Sequence, residues 1–353
     1  AFFYSEVLVV SVLGEYLYKM IEACPLWTAN TTVIAACSGG ADSLALTAAL
    51  QHLALDCNSK VQVVHVQHHL RGAEAERDAK LVQNFCAERH LAFTQKDVDV
   101  QALVEAQGLS VEEAARKLRY QALEECRQAK GATAIFLAQH RDDQAETVLL
   151  NLLRGAGTKG IRGMLALNGY LVRPLLQATK EELLEYCQQE KISYAVDSTN
   201  EDTKFTRNWV RKKVLPVLEE KNPNIKKQLA QAATLAAWDE EYLQGEADKY
   251  LRAYGTDLGG FYDVEVGDAF NNLAPAIKTR VLRTMLQGAG AVEVSFEHTR
   301  DLAELIGKGV GNKAFDVPGK VRAIYLNGRL TVGKNANSRA EERAAKNLQK
   351  ECQ

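Results

Sequence analysis

Thr32-Val33-Ile34-Ala35-Ala36-Cys37-Ser38-Gly39-Gly40-Ala41-Asp42-Ser43 places a glycine pair at the junction of two unlike patterns. The first six residues form a short apolar, β-branched run, the signature of a strand buried on both faces of a parallel sheet. Beyond the glycines, Leu44, Leu46, Leu50 and Leu53 recur among alanines at helical spacing, with Ser43 placed to start the helix. A strand that turns through two glycines into a helix brings backbone N–H groups close together at a positive dipole end. That is a cradle for phosphate. No G-x-x-x-x-G-K-[ST] pattern is present, so it is not a Walker loop.

Strand and helix patterns alternate on either side of this junction. Residues 61–66 read as a second strand, 74–89 as a helix, 92–98 as a weaker strand, and 100–107 and 111–129 as helices. A short strand at 134–138 then leads into a helix over 142–154. Such alternation predicts an α/β fold, a doubly wound and mostly parallel sheet whose ligands lie beyond the carboxyl ends of the strands. Residues 38–43 and 139–143 both follow strands, so they should line one crevice. The glycine-rich stretch 155–164 predicts an irregular loop beside it, and 171–196 a last unit returning to the sheet. Asn222-Pro223-Asn224 interrupts the chain, which divides the sequence into a catalytic domain at 1–218, a smaller, mainly helical α+β domain at 219–334, and a charged tail at 335–353. In the second domain, helices are expected near 274–287 and 298–307, with two short strands flanking Pro318-Gly319.

Composition narrows the classes. The chain has 353 residues, enough for two cores, and a net charge of −2, so any basic surface must be local. Its seven cysteines stand singly with no C-x-x-C pair, which predicts reduced thiols in a cytoplasmic protein without a zinc site. The apolar N-terminus lacks a basic leader and is interrupted by Glu6, so an amphipathic helix is expected there and not a signal peptide. No apolar run reaches the ~18 to 20 residues of a membrane span.

Three clusters carry chemistry. His65-Val66-Gln67-His68-His69 follows the second strand and reads as a nucleotide-facing loop supported by Arg71 and Asp78, because i, i+3 spacing there does not converge ligands on a metal. Gln139-His140-Arg141-Asp142-Asp143-Gln144-Ala145-Glu146 sets a His and three carboxylates at the end of a strand. Asp143 and Glu146, three apart on a helix, can hold a cationic amine between them, and His140, Asp142 and Asp143 are all open as its base. From Lys204 to Lys227, eight basic residues face only Glu219 and Glu220, a pattern suited to RNA phosphate.

The ordered set S-G-G-x-D-S, H-V-x-H-x-L-R, H-x-D-D-Q-x-E-T, L-L-R-G-x-G-x-x-G-x-x-G-M, R-P-L-L, D-S-T-N-E-D and F-x-R-N-x-x-R resembles the tRNA(Ile)-lysidine synthetases of the ATP pyrophosphatase (PP-loop) superfamily. The likeness is strong over about 30–215 and looser over 220–335. It implies an ATP-dependent ligase that joins free L-lysine to C2 of the wobble cytidine of an isoleucine tRNA with a CAU anticodon, through an adenylated cytidine. By the same resemblance, Ser38, Gly39, Gly40, Asp42, Ser43, His65, Arg116 and His140 would hold ATP, with Mg²⁺ on Asp42. Asp143 and Glu146 would hold lysine, and Asp42, His140, Asp143 and Glu146 would form the catalytic set. Arg154, Lys159, Arg207, Asn208, Arg211, Lys212 and Lys213 would meet the tRNA. Gln139 stands where the family often has a second His. The open alternatives are a tRNA 2-thiolase with the same loop and, as a partner, a second copy of the chain in a homodimer.

Overall fold

A computed structural model of the chain describes residues 13–17, 24–70, 72–195, 206–309 and 313–334. The expected N-terminal helix lies mostly outside these residues, and Arg71, Lys204, the 197–202 motif and the charged tail lie wholly outside them.

The chain forms two compact units, Ala1–Ala237 and Trp238–Gln353. In the first, β1 (Thr32–Ala36), β2 (Lys60–Gln67), β3 (Ala92–Asp97), β4 (Ala134–Phe136), β5 (Leu167–Asn168) and β6 (Leu171–Val172) make one sheet in the order β3-β2-β1-β4-β6-β5. All neighbours pair in parallel except β5, which runs against β6 at the edge. From β1 the chain moves outward through β2 to β3, then crosses to β4 on the other side. The order therefore reverses at β1 and β4, where a doubly wound sheet opens a crevice.

Period-two alternation explains how both faces are covered. Val33, Ala35, Val61, Val63 and Phe136 face one layer with Leu44, Leu50 and Leu53 of α1 (Ala41–Asp56), Val82 and Phe85 of α2 (Ala73–Glu88), and Leu183 and Cys187 of a later helix. Ile34, Val64 and Ile135 face the other with Leu123 and Cys126 of α4 (Val111–Ala129), which follows α3 (Val100–Gln107). α1 is buried nearly all round because it lies between the sheet and that later helix. Ser110 and Glu113 close a capping box that fixes where α4 begins.

α5 (Arg141–Leu153) leaves β4 directly. The glycine-rich stretch after it is more ordered than its composition suggests: α6 (Thr158–Ile161) is a single turn, and Asn151 Nδ2 donates to Gly160 O at 2.7 Å. Beyond β6 come α7 (Lys180–Gln189), α8 (Thr206–Trp209), a π-helical turn at Val210–Val214, α9 (Leu215–Lys221) and α10 (Ile225–Tyr254). The two compact units divide inside α10, between Ala237 and Trp238. The reason is packing: Leu229, at the start of α10, packs against Ala145, Val210 and Leu215 of the first unit.

The second unit has its own core around Phe270, Leu282, Met285, Leu286, Leu302 and Val332. After the end of α10 it contains β7 (Gly255–Asp257), β8 (Tyr262–Glu265), α11 (Asp268–Asn271), α12 (Pro275–Gly288), α13 (Phe296–Gly307), β9 (Lys313–Val317), β10 (Val321–Leu326) and β11 (Arg329–Lys334). The strands form one antiparallel sheet in the order β7-β8-β11-β10-β9, larger than the pair expected around Pro318-Gly319. No described helix is long and apolar enough to cross a membrane.

Phe136 is fully buried and meets the Trp27 ring edge-on at 5.3 Å. Phe136→Ala is expected to cost about 3–5 kcal/mol of unfolding free energy in the first unit. Urea unfolding followed by tryptophan fluorescence measures it, and a loss below ~1 kcal/mol would show that the layer refills the space.

Candidate active site

The glycine turn closes on itself before it meets anything else. Ser43 Oγ accepts from Ser38 N–H at 3.1 Å and donates to Gly40 O at 2.9 Å, so the hydroxyl ties both ends of the turn together. Gly39 sits at φ +94°, where L side chains are strained, and a Cβ there would press Val82 Cγ2 at 3.3 Å. Gly40 is the N-cap of α1 and contributes no side-chain cap, which leaves the helix N–H groups to be met from outside the turn. Asp42 stands in the first turn of α1.

The second motif arrives at the same height from β4. His140 is the N-cap of α5: its Nδ1 accepts from Asp142 N–H at 3.3 Å, and its own N–H donates to Asp143 Oδ2 at 3.1 Å. With Nδ1 accepting, the ring proton sits on Nε2, which lies 3.7 Å from Asp42 Oδ2 and 3.5 Å from Asp143 Oδ2. Arg141 N–H donates to Ala178 O at 2.9 Å, fixing this corner to the segment before α7. Asp42, His140 and Asp143 thus meet although they come from two strand ends.

Asp42 and Asp143 edge a cleft of about 830 Å³ between the ends of β1, β2 and β4, and His140 is buried behind them, outside its lining. Ser38, Gly40, Asp42, Ser43, His65, Asp78, Arg116, Asp143, Arg207 and Asn208, all singled out in the sequence, line it. His65 is buried and donates from Nδ1 to Cys37 O at 2.9 Å, which fixes its ring at the cleft floor. Sequence reasoning missed Arg119. It lines the cleft beside Tyr120, and burial together with Arg116 and Arg207 lowers its pKa. The signal was its place in Arg116-Lys117-Leu118-Arg119-Tyr120, three residues after Arg116 and on the same helix face. Gln144 was also missed. Its amide holds the loop after α6 by accepting from Met164 N–H at 2.8 Å and donating to Met164 O at 2.9 Å. Gly163 allows this approach, since a Cβ there would lie 2.6 Å from Gln144 Oε1.

The carboxylates expected to receive an amine are already paired. Glu146, fully buried, accepts from Arg207 Nε at 2.8 Å and from Arg211 Nε at 2.5 Å and Nη2 at 3.1 Å. Asp143 accepts from Arg207 Nη2 at 3.1 Å, with Arg211 Nη2 at 3.5 Å. Burial opposes the Asp143 charge, but His140, Arg207 and Arg211 outweigh it and hold the carboxyl below its ordinary range. Burial likewise works against Arg211, and Glu146 and Asp143 overcome it, keeping its pKa above the ordinary value. Glu146 lies behind the cleft as the acid of an arginine clasp, with Arg207 and Arg211 turned toward it. Asp142 is engaged by Lys226 at 3.0 Å. Arg154, Lys159 and Lys213 remain on the exposed surface, away from the cleft lining.

Among the described residues no cluster of three His, Cys, Asp or Glu side chains could cage a metal. Asp42 supplies one carboxylate beside the phosphate cradle, which suits a magnesium ion that takes its other ligands from phosphates and water. The six described cysteines are buried thiols, and burial raises Cys37, the one at the cleft, against hydrogen bonds to Ser43, Gly39 and Thr47.

Residues 15–218 match the PP-loop domain family, and residues 268–330 match the TilS substrate-binding domain. A glycine-turn ATP site on a parallel sheet therefore defines a PP-loop protein. One relative, the tRNA(Ile)-lysidine synthase of Caldanaerobacter subterraneus, is 31% identical over 323 residues, covering 91% of this chain and 69% of its own length. Another, from Parabacteroides distasonis, is 40% identical over 213 residues, covering 60% of this chain and 48% of its own. The chain belongs to the tRNA(Ile)-lysidine synthase family, ligase-type enzymes of tRNA modification. It spans between about half and two thirds of the length of these relatives. The fold of the first unit is also that of a U34-tRNA thiolase from Methanococcus maripaludis, with a TM-score of 0.50 at 15% identity over 62% of this chain and 77% of that one.

Glu146→Gln is expected to destabilise the first unit by about 3–5 kcal/mol, because two inward guanidinium groups lose their buried counter-charge. Chemical denaturation checks it. For Asp143 the sign follows from its lowered pKa. Its stabilisation is complete above the ordinary aspartate value of about 3.9 and is lost as pH falls through the folded value. Thermal unfolding over roughly pH 2 to 6 should be less pH-dependent in Asp143→Asn than in the natural chain.

Proposed function

We propose that this chain ligates free L-lysine to C2 of the wobble cytidine of an isoleucine tRNA with a CAU anticodon, using ATP and passing through an adenylated cytidine. The observation that carries the reading is the meeting of a phosphate-binding turn, Ser38–Ser43, with a cleft-facing carboxylate, Asp143, through His140. Adenylation needs the first and capture of a primary amine needs the second.

In the first step cytidine O2 bonds to the α-phosphorus, and the bond to the bridging oxygen breaks, releasing pyrophosphate at the N-terminus of α1. Magnesium, held by Asp42 and the phosphates, would neutralise charge there. Gly39 and Gly40 present backbone donors to the phosphates, while Arg116 and Arg119 supply positive charge across the cleft. In the second step the lysine amine bonds to C2 and AMP departs with O2. Lysine arrives mostly as ammonium, since its amine has a pKa of about 10.4. Asp143, held ionised, is the acid placed to receive it, and Arg207 must yield that carboxylate while keeping Glu146. His140, with Nδ1 engaged by Asp142 N–H and Nε2 facing Asp42 and Asp143, orients the two aspartates, and the proton that the ammonium must lose passes to one of the groups at this corner, His140, Asp142 or Asp143.

The tRNA contacts pass to the outward-facing cations, Arg154, Lys159 and Lys213, with Asn208 at the cleft rim. The thiolase alternative is disfavoured by chemistry: the one cysteine at the cleft has its thiol pKa raised, the opposite of what a sulfur nucleophile needs.

Incubation with ATP, Mg²⁺, radiolabelled lysine and isoleucine tRNA should place label in RNA only when ATP is present. AMP release without labelled RNA would overturn the reading. Asp42→Ala should abolish pyrophosphate release. Asp143→Asn should raise the lysine KM roughly tenfold or more, from the loss of a charged hydrogen bond, with the ATP KM changed less than about twofold. An unchanged lysine KM removes Asp143 from the amine site.

A further inference from the structure

Lys180 is the first residue of α7, directly after the N-cap Thr179. A cation at that position opposes the helix dipole, whereas Glu181 and Glu182 in the same turn follow it. Helix stability therefore does not account for Lys180. Its partner does: Nζ lies 2.6 Å from Asp42 Oδ1, at the edge of the glycine turn, and the lysine side chain is still 36% exposed.

The segment that carries Lys180 is fastened to the turn on every side. Thr179 and Glu182 form a capping box, with Thr179 N–H donating to Glu182 Oε2 at 2.7 Å. Leu183 and Cys187 are buried against α1, and Cys187 Sγ donates to Ala41 O at 3.5 Å. Past α7, Ala195 N–H donates to Gly39 O at 2.9 Å, and before it Ala178 O accepts from Arg141 N–H. The backbone at Lys180 is thus rigidly placed beside the phosphate cradle, while its ammonium is on a flexible stem.

We infer that Lys180 is the cation that receives the β- and γ-phosphates of ATP and the pyrophosphate that leaves, and that Asp42 parks it until they arrive. The inference rests on the ATP-cleaving half of the function proposed above and is indifferent to the nucleophile. When the α-phosphorus bonds to the attacking oxygen, the electron pair of the broken P–O bond goes to the pyrophosphate. A mobile ammonium within a side chain's reach of the turn meets that charge as it forms. Lysine suits the task because it is a compact point charge with three donors and can change partners by rotating its stem. Asp42, released from Lys180, is then free for the nucleotide-bound cation.

The test compares ligands that differ only in the phosphates concerned. Binding of inorganic pyrophosphate, ATP and AMP to the whole chain is measured by calorimetry, with EDTA and again with Mg²⁺. In Lys180→Met, pyrophosphate and ATP should bind at least tenfold more weakly and AMP within twofold of the natural chain, and Lys180→Arg should recover most of the loss. Equal weakening of ATP and AMP, or no change in either, overturns the inference. A measurement on the natural chain needs no variant to fold: pyrophosphate, but not AMP, should slow acylation of Lys180 severalfold relative to the exposed Lys213, and equal rates overturn it. If these results hold but no lysidine forms, the ligase reading fails alone. If lysidine forms while Lys180→Met binds pyrophosphate normally, this inference fails alone.

Discussion

A fully buried carboxylate has to be answered, and in this protein the answer to Glu146 organises the active site. Leaving that charge unpaired in the interior would cost several kcal/mol, so the fold must bring cations to it. Arg207 and Arg211 do so, four residues apart on the strand of helix that passes behind α5. Their spacing alone does not explain how both forks reach one acid. The chain between Val210 and Val214 widens into a π-helical turn, the kind of local irregularity that re-aims side chains at functional sites. With the clasp closed, α5 is held to α8 and its neighbours, and Asp143, one turn before Glu146, is presented to the cleft with Arg207 across it. The positions of the reactive groups follow from satisfying one buried charge.

That constraint explains what could and could not be seen in the sequence. The parallel sheet was legible because its strands are buried on both faces and leave short apolar runs such as Val33–Ala35 and Ala134–Phe136 between long amphipathic helices. The glycine turn was legible because only glycine tolerates the conformation at Gly39. β5 and β6, two residues each, are too short to show any period. The antiparallel sheet of the second unit was read only around Pro318-Gly319, because β7 and β8 are short and mixed in polarity. The pairing of Arg207 and Arg211 with Asp143 and Glu146 was hidden for a different reason. A run of basic residues gives the sum of charge along the chain, whereas the acids that neutralise it, Asp143 and Glu146, belong to a helix far upstream. Pairing of that kind is a property of the fold.

The cleft also has a balanced pattern of charge. Asp42 is met by Lys180, Asp143 by Arg207 and His140, and Asp142 by Lys226, so these three acids each have an internal cation. In the proposed reaction the charged substrates, a polyphosphate and an ammonium, would then enter by exchange. The polyphosphate competes for the cations and the ammonium for the acids. Each exchange keeps the local charge close to neutral, which limits the desolvation that a lone buried ion would impose. Under that proposal the site would favour the two substrates together, because a cation drawn toward phosphate leaves a carboxylate ready for the amine.

The choice between arginine and lysine fits this division of labour. Arginine's planar fork matches a carboxylate at two points and holds it in fixed geometry, which suits the permanent clasp on Glu146. Lysine binds as a point charge on a flexible stem and gives up a partner at little geometric cost, which suits Asp42. Arg207 has one arm in each regime: its Nε holds the buried Glu146 and its Nη2 holds the cleft-facing Asp143. Losing the second contact leaves the first intact, so the proposed amine site would open without the clasp coming apart. Glu146 and Asp143 are three residues apart on one helix, and what separates them is the depth at which the same guanidinium reaches each.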